Sequence, residues 1–202
     1  MSQAIPVEAT KPGRPRSERA RVAILEATVD LLRERGLREI SVDEIARRAG
    51  VSKATIYRWW ESKEAVALDA FLSEVTRVQG APPDTGSLAE DLAASLRARG
   101  RALTENPWMG RTMASLVAET HVDSALRATY LARIVRPLRD QARAMIRRAM
   151  KRGEVPSDID VEATLDLVYG PMYHRVLQGH APLTDRFARK IADLVVRGVA
   201  TA

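Results

Sequence analysis

Residues 41–63, SVDEIARRAGVSKATIYRWWESK, constrain this chain more than any other stretch, because their capping and turn residues lay out two short helices around a tight corner. Ser41 followed by Glu44 has the spacing of a capping box. Ile45 and Ala46 face inward, while Arg47 and Arg48 stay in water. Gly50 supplies the corner, since a positive φ costs glycine least. Ser52 then caps a second helix, expected over 53–60, whose first turn carries Lys53, Ala54 and Thr55. Small and polar residues at a helix N-terminus suit entry into a DNA major groove, with the positive end of the helix dipole near phosphate. An ordinary helical hairpin has the same outline, and the flanks decide against it.

Residues 11–21, KPGRPRSERAR, carry five cations against the single Glu18. Pro12, Gly13 and Pro15 oppose a helix, so residues 1–17 are expected to form a flexible basic arm. Arg14 and Arg16 are its candidates for phosphate or minor-groove contact. On the other side, Ser62 caps a helix that begins with Lys63, where a DNA backbone would pass. Charge follows the same division: 13 Lys/Arg face 9 Asp/Glu up to Lys63, a net +4, and the remainder adds only +2. Basic character concentrated at one end is what counterion release from DNA requires.

These residues carry a family resemblance. A first helix ending in Gly36, then Ile40-Ser41-Val42, Glu44-Ile45-Ala46, Ala49-Gly50-Val51-Ser52, Thr55-Ile56-Tyr57 and Ser62-Lys63, resemble the N-terminal domain of the tetracycline-repressor (TetR) family of bacterial regulators. The likeness covers residues 18–64, about a quarter of the chain. It departs at Trp59-Trp60, where many relatives carry His-Phe: Trp60 can do the core work of the Phe, and Trp59 offers one indole N–H in place of an imidazole. The residues place Lys53, Ala54 and Thr55 at base edges and Ser41, Ser52 and Lys63 at phosphates. Tyr57 reads either as a phosphate contact or as core, the resemblance favouring phosphate. Arg58 reaches phosphate or solvent.

Beyond residue 64 the periodicity is helical throughout, giving an all-α chain of about nine helices. Helices are expected over 18–35, 63–79, 87–105, 107–120, 122–152, 160–178 and 185–199, with the segment 80–86 (GAPPDTG) as a break between halves. Pro137 should bend the longest helix rather than end it. The expected organisation is an arm (1–17), a helix-turn-helix domain (18–64) and a helical effector-binding and dimerisation domain (65–202).

The last two helices carry apolar stripes, Val161, Leu165, Val168 and Met172, then Phe187, Ile191, Leu194 and Val195. These either complete one protomer's core or meet the same helices of a second copy in a four-helix bundle. The resemblance implies the homodimer, which would read a palindromic operator in double-stranded DNA. It also implies a pocket in the central helices for an unknown small-molecule effector. Trp108, Met109, Met113, Leu116, Tyr130, Ile134, Tyr169, Tyr173 and His174 are the candidate lining residues, although Met and aromatic residues at helical spacing also build plain core.

The function expected is a transcriptional regulator, a repressor released from its operator by that effector. The alternative is a DNA-binding regulator without an effector, controlled by a protein partner. No nucleophile elbow, phosphate loop or metalloprotease motif is present, and His121, His174 and His180 lack metal-ligand spacing, so no catalysis, metal or cofactor is expected. The chain has no cysteine, no signal-peptide pattern and no apolar run near the roughly 20 residues of a membrane span, which fits a cytoplasmic protein without a membrane partner.

Overall fold

The computed structural model describes residues 14–78 and 81–199. Four helices form the head: α1 (Arg14–Glu34), α2 (Val42–Ala49), α3 (Lys53–Tyr57) and α4 (Lys63–Val78). Helix α1 begins four residues before its expected start, because Pro15 falls in its first turn, where a missing N–H costs no helical hydrogen bond. Arg14 and Arg16 therefore stand on helix rather than on an arm; their side chains, and residues 1–13, lie outside the described residues. Helix α3 is shorter than expected. After Tyr57 the backbone tightens, with Trp59 and Trp60 N–H both returning to the Ile56 carbonyl, at 2.9 and 3.0 Å. That turn sends the Trp60 ring into the core beside Ile45 and Ile56.

The body follows as α5 (Leu88–Glu105), α6 (Pro107–Glu119), α7 (Ser124–Tyr130), α8 (Arg136–Arg152), α9 (Val161–Gln178) and α10 (Asp185–Val199). A π-helical turn, Leu131–Val135, joins α7 to α8, and counting that rod as one gives the nine expected helices. Pro137 accounts for the turn. Proline lacks an N–H, and in a regular helix its ring would strike the carbonyl of Arg133. The preceding turn widens instead, so that Arg136 N–H reaches back five residues to Leu131.

Two apolar cores result. The first joins α1–α4 to α6, α7 and the π turn through residues such as Ile24, Phe71, Met109, Leu116 and Tyr130. The second holds α5, α8, α9 and α10 around Leu92, Met145, Leu165 and Ala192, and Tyr173 packs against both. Four expected dimer residues belong to this second core: Leu165, Val168, Met172 and Val195 are all buried within the protomer. Helix α10 lies chiefly along α5, which takes up the apolar stripe that the sequence left without a neighbour. Val161, Phe187 and Ile191 are half-buried. Of the expected residues only Leu194 is exposed, at 52%, and Leu167 on α9, at 59%, joins it.

Candidate nucleic-acid interface

The ends of α2 and α3 are fixed by their caps. Glu44 N–H donates to Ser41 Oγ at 3.3 Å while Ser41 N–H donates to the Glu44 carboxylate at 3.1 Å, pairing two amides that the first turn cannot satisfy. Gly50 sits at φ 66°, the left-handed region that favours glycine, and Val51 N–H returns to the Ala46 carbonyl at 3.0 Å. Thr55 N–H donates to Ser52 Oγ at 3.2 Å, and the two hydroxyls lie 2.9 Å apart. Ile45 and Ile56, both fully buried, hold the pair of helices against the head core.

With its inner side committed, α3 turns the rest outward. Ser52, Lys53, Ala54, Tyr57, Arg58 and Trp59 are exposed, and Ser41, Thr55 and Lys63 are half-buried. Tyr57 is 53% exposed, so of its two readings the core one falls; Trp60 takes that place. Trp59 is 42% exposed and stands tilted outside Trp60, ring centroids 6.3 Å apart. The Ser41 hydroxyl is occupied by the capping box.

Ion pairs fasten α2 to α1. Arg48 donates to both oxygens of Glu34 at 2.6 and 2.8 Å, and Arg35 donates to Glu44 at 2.6 Å. The Arg48 guanidinium holds the Glu34 carboxyl below the usual range, and the Ser41 hydroxyl with Arg35 does the same for Glu44. Lys53 Nζ lies 2.6 Å from Asp43. That pair is well exposed, where such contacts are worth only about 0–1 kcal/mol, so a base edge or phosphate displaces Asp43 at little cost. Because Asp43 is engaged there, Arg47, four residues further on, keeps its charge uncompensated: among the described residues neither it nor Arg58 has a carboxylate within 4.0 Å. The sequence placed Arg47 in water and gave it no role.

A second feature lies behind the head. A cavity of about 230 Å³ opens between α4, α5, α6, α8 and α9, edged by Pro82 and Pro83. Met109, Met113, Ile134 and Tyr173 line it as expected. Trp108, Leu116 and Tyr130 do not; they are buried in the first core, where Arg33 of α1 stacks over Trp108 at 5.5 Å. Tyr169 is buried in the second core, and His174 is exposed with its ring 4.9 Å from that of His180. The sequence also missed lining residues. Phe71 and Val75 lie on α4, where the sequence offered no lining candidate, and Arg99 and Gln141 stand on helices rich in charge.

A capped recognition helix facing solvent, with uncompensated cations around it and an all-α body behind, defines a helix-turn-helix DNA-binding protein. Residues 24–70 match the family model for bacterial regulatory proteins of the tetR family, and residues 82–195 match that for the tetracyclin repressor-like C-terminal domain. The chain belongs to the TetR family of transcriptional regulators, which are generally repressors and not enzymes. It is similar to the HTH-type transcriptional regulator YdeS of Bacillus subtilis, 38% identical over 190 residues that cover 94% of each chain. It is also similar to the DNA-binding transcriptional repressor TetR of Mycobacteroides abscessus, 29% identical over 184 residues covering 90% of this chain and 94% of that one. A crystal structure of the TetR family regulator SCO0332 superposes with a TM-score of 0.74 at 34% identity, covering 90% of this chain and 99% of the other. No helix among the described residues is long and apolar enough to cross a membrane.

Proposed function

We propose that the protein works as a homodimeric repressor that grips a palindromic operator through α3 and leaves it when a small molecule fills the cavity. Lys53, Ala54 and Thr55 read base edges; Ser52, Tyr57, Arg58 and Lys63 set the register on phosphate, with Arg47 added to them. Trp59 borders the same backbone, and the exposed Leu167 and Leu194 join the two protomers. The place of action is the cytoplasm, where the operator is.

The observation that carries this reading is the double role of α4. Its Phe71 belongs to the head core and also lines the cavity, so a molecule seated there presses on the helix that carries the head. Release needs the ligand to prefer the protomer arrangement that spaces the heads wrongly; tight binding alone does nothing. Selection of bound fragments from genomic DNA, followed by footprinting at two salt concentrations, tests the first half. A protected palindrome with steep salt dependence supports the reading, and salt-insensitive, unselective binding defeats it.

A further inference from the structure

Arg99 is the one charged side chain among the cavity's lining residues, and no ion pair among the described residues neutralises it. It stands half-buried on α5, its guanidinium carbon 5.5 Å from the centre of the Tyr169 ring. One terminal nitrogen donates to Gln141 Oε1 across a long 3.3 Å, and Nε is buried with no hydrogen-bond partner. Among the described residues no carboxylate lies within 4.0 Å of it. Arg139, Arg143 and Arg148, equally half-buried on α8, each hold carboxylates.

A guanidinium stays protonated at any working pH, and a cation at an apolar wall with no carboxylate beside it favours an anion there. Two parallel donors match the two oxygens of a carboxylate better than any single acceptor. Stacking on Tyr169 and the Gln141 contact hold the fork in place before a ligand arrives. Tyr173, also in the lining, supplies a second donor: burial pushes its phenol above the ordinary range, so it keeps its proton. Ser95, one helical turn before Arg99, lies on the same side of α5 and lines the cavity as well.

The rest of the wall is apolar, formed by Phe71, Ile134 and four methionines, Met109, Met113, Met145 and Met172. Thioether side chains re-pack readily, so this wall accepts hydrocarbon of varied outline. A volume of about 230 Å³ is below the range of drug-sized sites and holds on the order of ten non-hydrogen atoms. We infer that the cavity takes a small apolar carboxylate, its anionic group on Arg99 and its hydrocarbon body against the methionines. The inference rests on the cavity being the effector site only where operator release is concerned.

The test is calorimetric titration of the full chain with octanoate, 1-octanol and octylamine, alone and on operator DNA. Octanoate should bind the unmodified protein roughly tenfold or more tightly than octanol, as a charge-assisted pair implies, and octylamine should bind most weakly. Arg99→Gln should erase the preference for octanoate while leaving octanol binding in place, and Arg99→Lys should restore part of it. Met113→Trp, which fills the cavity, should abolish binding of all three. Octanol equal to octanoate, tighter octylamine, or no binding by any of the three overturns the inference. Octanoate that binds through Arg99 without loosening the operator supports the ligand class and defeats the release mechanism instead.

Discussion

Trp60 donates its indole N–H to Asp69 Oδ2 at 2.9 Å, and the other oxygen of the same carboxylate takes the Arg133 guanidinium. Arg133 lies within the π turn and directly precedes Ile134, which lines the cavity. One carboxylate on α4 thus ties the end of the recognition unit to the segment deformed by Pro137. Whatever moves the π turn loads the Trp60 ring, and with it the turn that ends α3.

Substitution separates the two halves of that tie. Asp69→Asn keeps an acceptor for Trp60 and drops the ion pair, so operator affinity should stay near that of the parent while ligand-induced release weakens. Asp69→Ala orphans a buried indole N–H as well and should lower stability by about 1–3 kcal/mol. Urea unfolding followed by Trp fluorescence, beside anisotropy on labelled operator, distinguishes the two; equal behaviour of both variants would exclude the coupling.

At the recognition helix, Lys53→Ala and Thr55→Ala should each cost roughly 1–3 kcal/mol of operator affinity with relaxed specificity. Asp43→Asn should act oppositely. It frees Lys53 to stand beside the already uncompensated Arg47, raising affinity for any DNA and steepening the salt slope. Titrations at several salt concentrations check all three, and an unchanged slope in Asp43→Asn would show that Lys53 does not reach phosphate.

Protomer association should depend on what is exposed rather than on the stripes themselves. Leu167→Arg and Leu194→Glu should yield folded monomers in sedimentation, with operator binding reduced because two half-sites no longer cooperate. Leu165→Ala, at a fully buried site, should instead lose about 2–5 kcal/mol of stability in the manner of a core cavity. A dimer unaffected by both exposed substitutions would place the interface elsewhere.

Acid stability carries a signature of the capping box. Glu44 has its carboxyl lowered from the ordinary 4.5 by the Ser41 hydroxyl and Arg35. A group shifted in that direction contributes stability fully present above its unfolded value and lost as pH falls through its folded one. Glu44→Gln should therefore melt below the parent at neutral pH, and the gap should close as pH drops below 4.5. A gap that persists in acid would mean that the ionised carboxylate adds nothing beyond the hydrogen bonds.

The head was legible because its information is local. Ser41 with Glu44, Gly50 and Ser52 each announce a backbone conformation within a few residues, and all three appear where the sequence placed them. That Pro137 would disturb the long helix without ending the rod was legible as well, though not the form, since a widened turn and a kink answer the same missing hydrogen bond. The body hid what depends on neighbours. Nothing in the spacing of Leu165 and Val168 says that α5 and α8 lie over them rather than a second copy. Trp108 and Met109 are adjacent in sequence and both buried in the first core, yet only Met109 also lines the cavity. Arg99 was the hardest to find: it sits between Arg97 and Arg101, and only packing distinguishes the three.

Continuous packing from α1 through α4 into α6 and α7 also bears on how this protein can be re-engineered. Cutting at residue 64 would leave Trp60 without Asp69 and strip the head of Val66, Ala70 and Phe71, all buried in its core. The DNA-reading part is thus no interchangeable cartridge. A chimera that borrows a relative's head must borrow α4 too, and then reconcile it with a foreign α6 and π turn. New operator addresses are better written residue by residue on α3, and new signals on the cavity wall, because the joint between them is part of both.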